Sequence, residues 1–220
     1  MKLSFETLKQ QQRLDRENYS SNLGLRVHRA LSWLEKSEQA ENDLDSQFIY
    51  LWIAFNAAYA NEININRRIT EQETFRNFIE RLCELDTDKN LSNFLWLQFA
   101  NSIRVLLKNK YIFQPFWDYQ NHKIGDDEWR AEFKAANAFA SKALGHKQTS
   151  VVLSIIFSRL YTLRNQILHG GATWNSGVNR DQVRDATTIM KNVMPMIIKI
   201  MMDNYRELWG EPCYPVVDHS

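Results

Sequence analysis

Apolar residues recur along this chain at the three- and four-residue spacing of helices that bury one face. Over roughly 20–40, "SSNLGLRVHRALSWLEKSEQA", Leu25, Ala30, Leu31 and Leu34 fall near that spacing with charges between them. The next segment, "SQFIYLWIAFNAAYA", is apolar on most sides, which predicts a central helix, and Asp43 or Asp45 stands where a cap is needed. In "TEQETFRNFIERLCEL", Thr70 and Glu73 have the capping-box spacing, and Phe75, Phe78, Ile79 and Leu82 form an apolar stripe.

"KNLSNFLWLQFANSIRVLLKN" predicts another buried helix. "DEWRAEFKAANAFASKAL" and "TSVVLSIIFSRLYTLRNQILH" predict two more, and a closing helix is expected from about Arg180 to Leu208, distorted by Pro195. Between them, "KYIFQPFWDYQNHKIGDDEW" carries Pro115 and Gly125, so an irregular insertion is expected near 108–127. Its aromatics, Tyr111, Phe113, Phe116, Trp117 and Tyr119, are expected to pack as a lid over the bundle rather than stack on bases. Residues 1–19 are expected to be a polar extension and 209–220 an extended tail.

Composition sharpens this picture. Only 7 glycines and 4 prolines occur in 220 residues, too few turn-formers for a β-rich or doubly wound protein, so the expected fold is an all-α helical bundle. The length fits a single domain over 1–220 with its own core. The net charge of +1 announces no global basic field, yet leaves room for local RNA contact. The 2 cysteines, Cys83 and Cys213, lack paired-ligand spacing, which argues against a disulfide framework or a zinc site. The N-terminal stretch has no apolar signal core, and no run reaches the roughly 18 apolar residues of a membrane span. The expectation is a cytoplasmic protein with no membrane association.

One stretch breaks the apolar pattern. "YTLRNQILHGGATW", residues 161–174, gathers Arg164, Asn165 and His169 at the end of an otherwise apolar helix, then stops on two glycines. On a helical wheel Val152, Ile156, Leu160, Leu163 and Ile167 share a core arc. Ser158, Thr162, Asn165 and His169 fall opposite, with Tyr161 and Arg164 along the edge, which predicts a polar strip pointing away from the core. Histidine is the side chain best suited to proton transfer near neutral pH, and arginine offers a permanently charged fork for phosphate. No acidic cluster stands here to hold a metal.

"RNQILH" resembles the R-x(4–6)-H signature of the HEPN superfamily, and within it the ApeA-like branch, with Asn165 as the polar residue that often follows the arginine. The motif covers six residues; the compatible helical architecture spans about 20–208. The resemblance implies a bundle that pairs as a homodimer through the 150–170 helix, so that two motif helices face each other. It implies a metal-independent, cofactor-free endoribonuclease acting on RNA, often a toxin or antiphage-defence effector with an antitoxin or defence-system partner. Arg164 and His169 would then be the catalytic pair and Asn165 an accessory polar group; apart from the resemblance, Asn56, His28 and Tyr161 are candidate supporting residues, against structural roles for Asn56 as a buried amide and His28 as a partly buried helix histidine. In some toxin members a tyrosine two residues after the histidine is modified by a partner nucleotidyltransferase; here that position is Gly171. A different class of function, the non-catalytic HEPN scaffold or nucleotide sensor, is the main rival. A small-molecule enzyme has no glycine-rich loop, nucleophile elbow or metal cluster to support it.

Overall fold

The computed structural model describes residues 3–60, 71–98 and 100–214. The fold is all-α, and the described residues contain no β-strand. The chain divides into two compact units, Met1–Asp88 with Thr187–Ser220, and Lys89–Ala186.

The first unit begins with α1 (Phe5–Asp15), so the N-terminal stretch expected to be a polar extension is helical. Its polar sequence hides the helix because it buries only Leu8 and Gln12. The start is fixed by the Ser4 amide donating to Thr7 Oγ1, and the Phe5 amide donates to Glu38 Oε1 at 2.9 Å. Next come α2 (Ser21–Gln39) and α3 (Leu44–Tyr59), joined by a short turn into a helical hairpin. Ser20 caps α2, and of the two candidate caps for α3 the residue used is Asp43, which accepts from the Ser46 amide and hydroxyl. Such a cap contributes about 1 kcal/mol.

The core of this unit joins Leu23, Val27, Leu31 and Leu34 of α2 to Phe48, Leu51, Trp52 and Phe55 of α3. From α4 (Glu71–Leu85) it adds Phe75, Ile79 and Leu82, three of the four residues of the expected stripe, with Phe78 half-buried. Phe55 is ringed by Trp52, Tyr59, Phe75 and Phe78 at centroid distances of 4.6 to 6.5 Å. Thr70 lies outside the described residues, as do Arg67 and Arg68. The closing helix α10 (Arg180–Asp203) ends earlier than Leu208 and continues through the buried Pro195. Asn204 Nδ2 donates to the Ile200 carbonyl at 2.9 Å just past its end, and Leu208 is left exposed.

Among the described residues Arg26 is the most deeply buried cation, fully enclosed on α2. Its Nη1 donates to the carbonyls of Ala58 and Ala60, both at 3.0 Å, and its Nη2 to that of Glu211 at 2.9 Å. The α3 C-terminus has orphan carbonyls by construction, and Arg26 satisfies them while fastening the tail.

The second unit holds α5 (Asn90–Asn93), a π-helical turn Phe94–Gln98, and α6 (Ala100–Leu107). These helical elements cover the stretch expected to be one buried helix, with Leu91, Phe94, Leu95, Ile103, Leu106 and Leu107 buried but Leu97 and Val105 exposed. Trp96 Nε1 donates to Thr149 Oγ1 at 3.0 Å, tying the π-turn to the start of α9 (Thr149–Leu168). The segment expected to be irregular is largely helical: a 3-10 turn, Lys110–Ile112, is followed by α7 (Gln114–Gln120). Pro115 sits in the first turn of α7, where a missing amide proton costs nothing. Its aromatics pack on α8 (Asp126–Gly145): Phe116 meets Trp129 at 5.2 Å, Tyr119 stacks on Trp129, and Phe113 meets Phe133 at 5.3 Å.

Candidate functional site

Helix α9 carries the candidate site and ends as the glycines require. His169 is its C-terminal cap, with its amide donating to the Asn165 carbonyl at 2.9 Å. The Gly170 amide then donates to the Ile167 carbonyl, and the Gly171 amide to that of Gln166 at 2.7 Å. These two bonds, with φ of +71° at Gly170, make a Schellman motif. Gly171 has a separate reason to be glycine: a Cβ there would stand 3.0 Å from the Gln166 carbonyl oxygen. The chain therefore turns away at once, and the His169 side chain is exposed at the helix end.

Arg164 lies half-buried one and a half turns earlier. Its Nη1 donates to Asn165 Oδ1 at 2.8 Å, and its guanidinium carbon lies 5.1 Å from the centre of the Tyr161 ring. Three of the singled-out residues, Tyr161, Arg164 and Asn165, are thus brought together, with the ring and the amide both restricting the guanidinium. His28 is on α2 and Asn56 on α3, both in the other compact unit. His28 is exposed rather than partly buried, and Asn56 Oδ1 is buried with no hydrogen-bond partner among the described residues.

The outward polar strip expected along α9 is shorter than the helical wheel gives. Val152, Ile156, Leu160 and Leu163 are buried as expected, but Thr162 is only 3% exposed and its hydroxyl donates to the Ser158 carbonyl. Phe157 and Arg159 are buried too. Helix α9 is enclosed around most of its circumference as far as Leu163, and only its last turn emerges. A wheel drawn from one helix cannot show how many neighbours surround it.

Gln166, inside the motif, was given no role by its residue type. Its Nε2 donates to the Tyr111 carbonyl at 2.6 Å, the same oxygen that accepts from Trp117 Nε1 at 2.8 Å. The motif turn is therefore pinned to the 3-10 turn and α7. The available signal was position: Gln166 lies seven residues after Arg159, on the same helix face, and Arg159 sits over Phe113 at 4.2 Å.

Arg159 differs from Arg26 in its surroundings. It is 4% exposed, its Nε has no hydrogen-bond partner among the described residues, and its neighbours are the rings of Phe113 and Phe133. Burial lowers its pKa to about 10. Among the described residues no group of three or more His, Cys, Asp or Glu is arranged to hold a metal ion. No helix among them is long and apolar enough to cross a membrane.

No family model matches this chain, and no curated protein or solved structure shows significant similarity to it.

Proposed function

We propose that this protein is a metal-independent endoribonuclease of the HEPN type, acting as a toxin or antiphage-defence effector. The observation that carries the reading is the end of α9: a histidine exposed at a glycine-locked helix terminus, following an arginine held by Tyr161 and Asn165. In this reaction the ribose 2′-hydroxyl attacks the adjacent phosphorus. The new 2′-O–P bond forms as the P–O5′ bond breaks. His169 takes the 2′-hydroxyl proton, Arg164 stabilises the charge that builds on the phosphorane oxygens, and a second acid protonates the leaving O5′. Pairing of two protomers through the exposed last turns of their α9 helices, the part of the 150–170 segment that emerges, supplies that acid as the second copy's histidine. Leu168, about half exposed beside His169, offers apolar surface for such pairing. The products are a 2′,3′-cyclic phosphate and a 5′-hydroxyl.

One observation favours the rival, a non-catalytic RNA- or nucleotide-binding module. One of the five N–H donors of the Arg164 guanidinium is already directed at Asn165 and the group lies by the Tyr161 ring, which leaves fewer donors for a phosphate. A substrate with a single 2′-deoxy nucleotide at a cleaved position separates the two. The nuclease loses cleavage at that position alone, whereas a binding module cleaves neither substrate.

A further inference from the structure

The charge of the chain is unevenly divided. The unit Lys89–Ala186 contains 13 Lys and Arg against 7 Asp and Glu, a net +6, while the remainder carries 14 against 19, a net −5. Within the basic unit, no Asp or Glu occurs between Lys89 and Trp117, nor between Phe133 and Arg180. A near-neutral total therefore conceals one strongly basic unit, the signature of a polyanion partner.

A groove of about 320 Å³ lies in this unit, walled by α6 and its following residue on one side and α8 on the other. Arg104 and Lys108 line the first wall, one helical turn apart, and Asn137 and Ser141 line the second, again one turn apart. Leu107 and Ala140 form an apolar floor, and no carboxylate among the described residues lines the groove. Arg104 and Lys108 are both exposed, and neither makes an ion pair among the described residues.

We propose that this groove binds the sugar–phosphate backbone of single-stranded RNA, apart from the α9 helix end. The chemistry fits each part. Cations four residues apart on a helix have Cβ atoms about 6 Å apart, so they can each neutralise a different phosphate of one strand. The Asn137 amide and Ser141 hydroxyl supply neutral donors and acceptors for phosphate oxygens and ribose hydroxyls. The apolar floor gives a sugar or base face a surface to cover. An acidic peptide would find the two cations but no use for the amide–hydroxyl wall, and a membrane would need a flat or convex face rather than a groove.

The proposal deepens the ribonuclease reading by giving its substrate a second point of attachment, and its test separates the two. Fluorescence anisotropy with a labelled, unstructured single-stranded RNA is measured over a salt series for wild type, Arg104→Ala/Lys108→Ala and His169→Ala, with circular dichroism as a check on folding. Loss of two phosphate contacts should flatten the slope of log K against log salt by about 1.4 and weaken binding roughly tenfold at moderate salt. His169→Ala, which on the proposed mechanism does not cleave, supplies the reference in which the RNA stays intact during the titration. Should the double variant keep the wild-type slope, or should wild type bind polyglutamate or anionic vesicles as tightly as RNA, the groove assignment is wrong whether or not RNA is cleaved. Groove-dependent binding without cleavage would uphold the groove and overturn the nuclease reading instead.

Discussion

Arg164 and Asn165, neighbours in sequence, are joined side chain to side chain, with Nη1 of the arginine donating to Oδ1 of the asparagine at 2.8 Å. Successive residues on a helix point about 100° apart, so this bond bends the guanidinium around the helix. The amide holds the fork on one side and the Tyr161 ring restricts it on another. On the proposed mechanism, Asn165→Ala therefore lowers RNA cleavage about tenfold by releasing the fork, while Arg164→Ala removes the charge itself and costs on the order of a hundredfold or more. Single-turnover rates check this ordering; an Asn165→Ala enzyme slower than Arg164→Ala would reverse the roles.

The glycine that ends α9 has a measurable cost of replacement. Gly170 is at φ +71°, so Gly170→Ala should destabilise by roughly 1 kcal/mol. Gly24, inside α2 with open space where a Cβ would stand, gives the opposite sign, and Gly24→Ala should stabilise by about 0.5–1 kcal/mol. Urea midpoints of the two variants should move in opposite directions from wild type.

The two buried arginines should also respond differently. Arg26→Met strands several carbonyls at the end of α3 and frees the tail, at a cost of about 3 kcal/mol or more. Arg159→Met exchanges a cation lying between aromatic rings for an apolar side chain of similar reach, so stability should change by less than about 1 kcal/mol or rise. Chemical denaturation of both variants decides it, and an Arg159→Met loss as large as that of Arg26→Met would contradict this account.

Helix periodicity made much of this fold legible. The stripe through Phe75, Ile79 and Leu82, the Asp43 cap and the glycine stop after His169 all express local rules, and all are present. Helix α1 was obscured because only Leu8 and Gln12 are buried in a run dominated by polar residues. The insertion expected to be irregular became helix because Pro115 falls in a first turn and its aromatics find Trp129 and Phe133. Thr162 was misplaced because enclosure depends on neighbours that periodicity does not count. At the candidate site the histidine and arginine stood out by residue type, whereas Gln166 and the basic groove did not. The first acts through a main-chain oxygen 55 residues away, and the second was averaged out of the net charge.

Cys83 provides a test by pH. Burial, followed by the nearby Asp86, Glu80 and Glu84, pushes its thiol from 9.0 up to about 12. The folded state favours the neutral thiol, so this contribution to stability is fully present below pH 9.0 and is lost as the pH rises towards 12. At pH 8 the native Cys83 thiolate fraction should be roughly a thousandfold below that of the unfolded chain. Reaction with a thiol reagent, with the modified residue identified by peptide mapping, should be correspondingly slow until urea is added. Fast native labelling of Cys83 would show that the site is more open than described.

On the proposed mechanism His169 transfers a proton in metal-independent RNA cleavage. The most direct measurement incubates wild type and His169→Ala with labelled mixed-sequence RNA in excess EDTA and determines the chemistry of every new end. Cleavage by wild type alone is expected, leaving 2′,3′-cyclic phosphate and 5′-hydroxyl ends. Equal cleavage by the two proteins, or no cleavage by wild type, would contradict it.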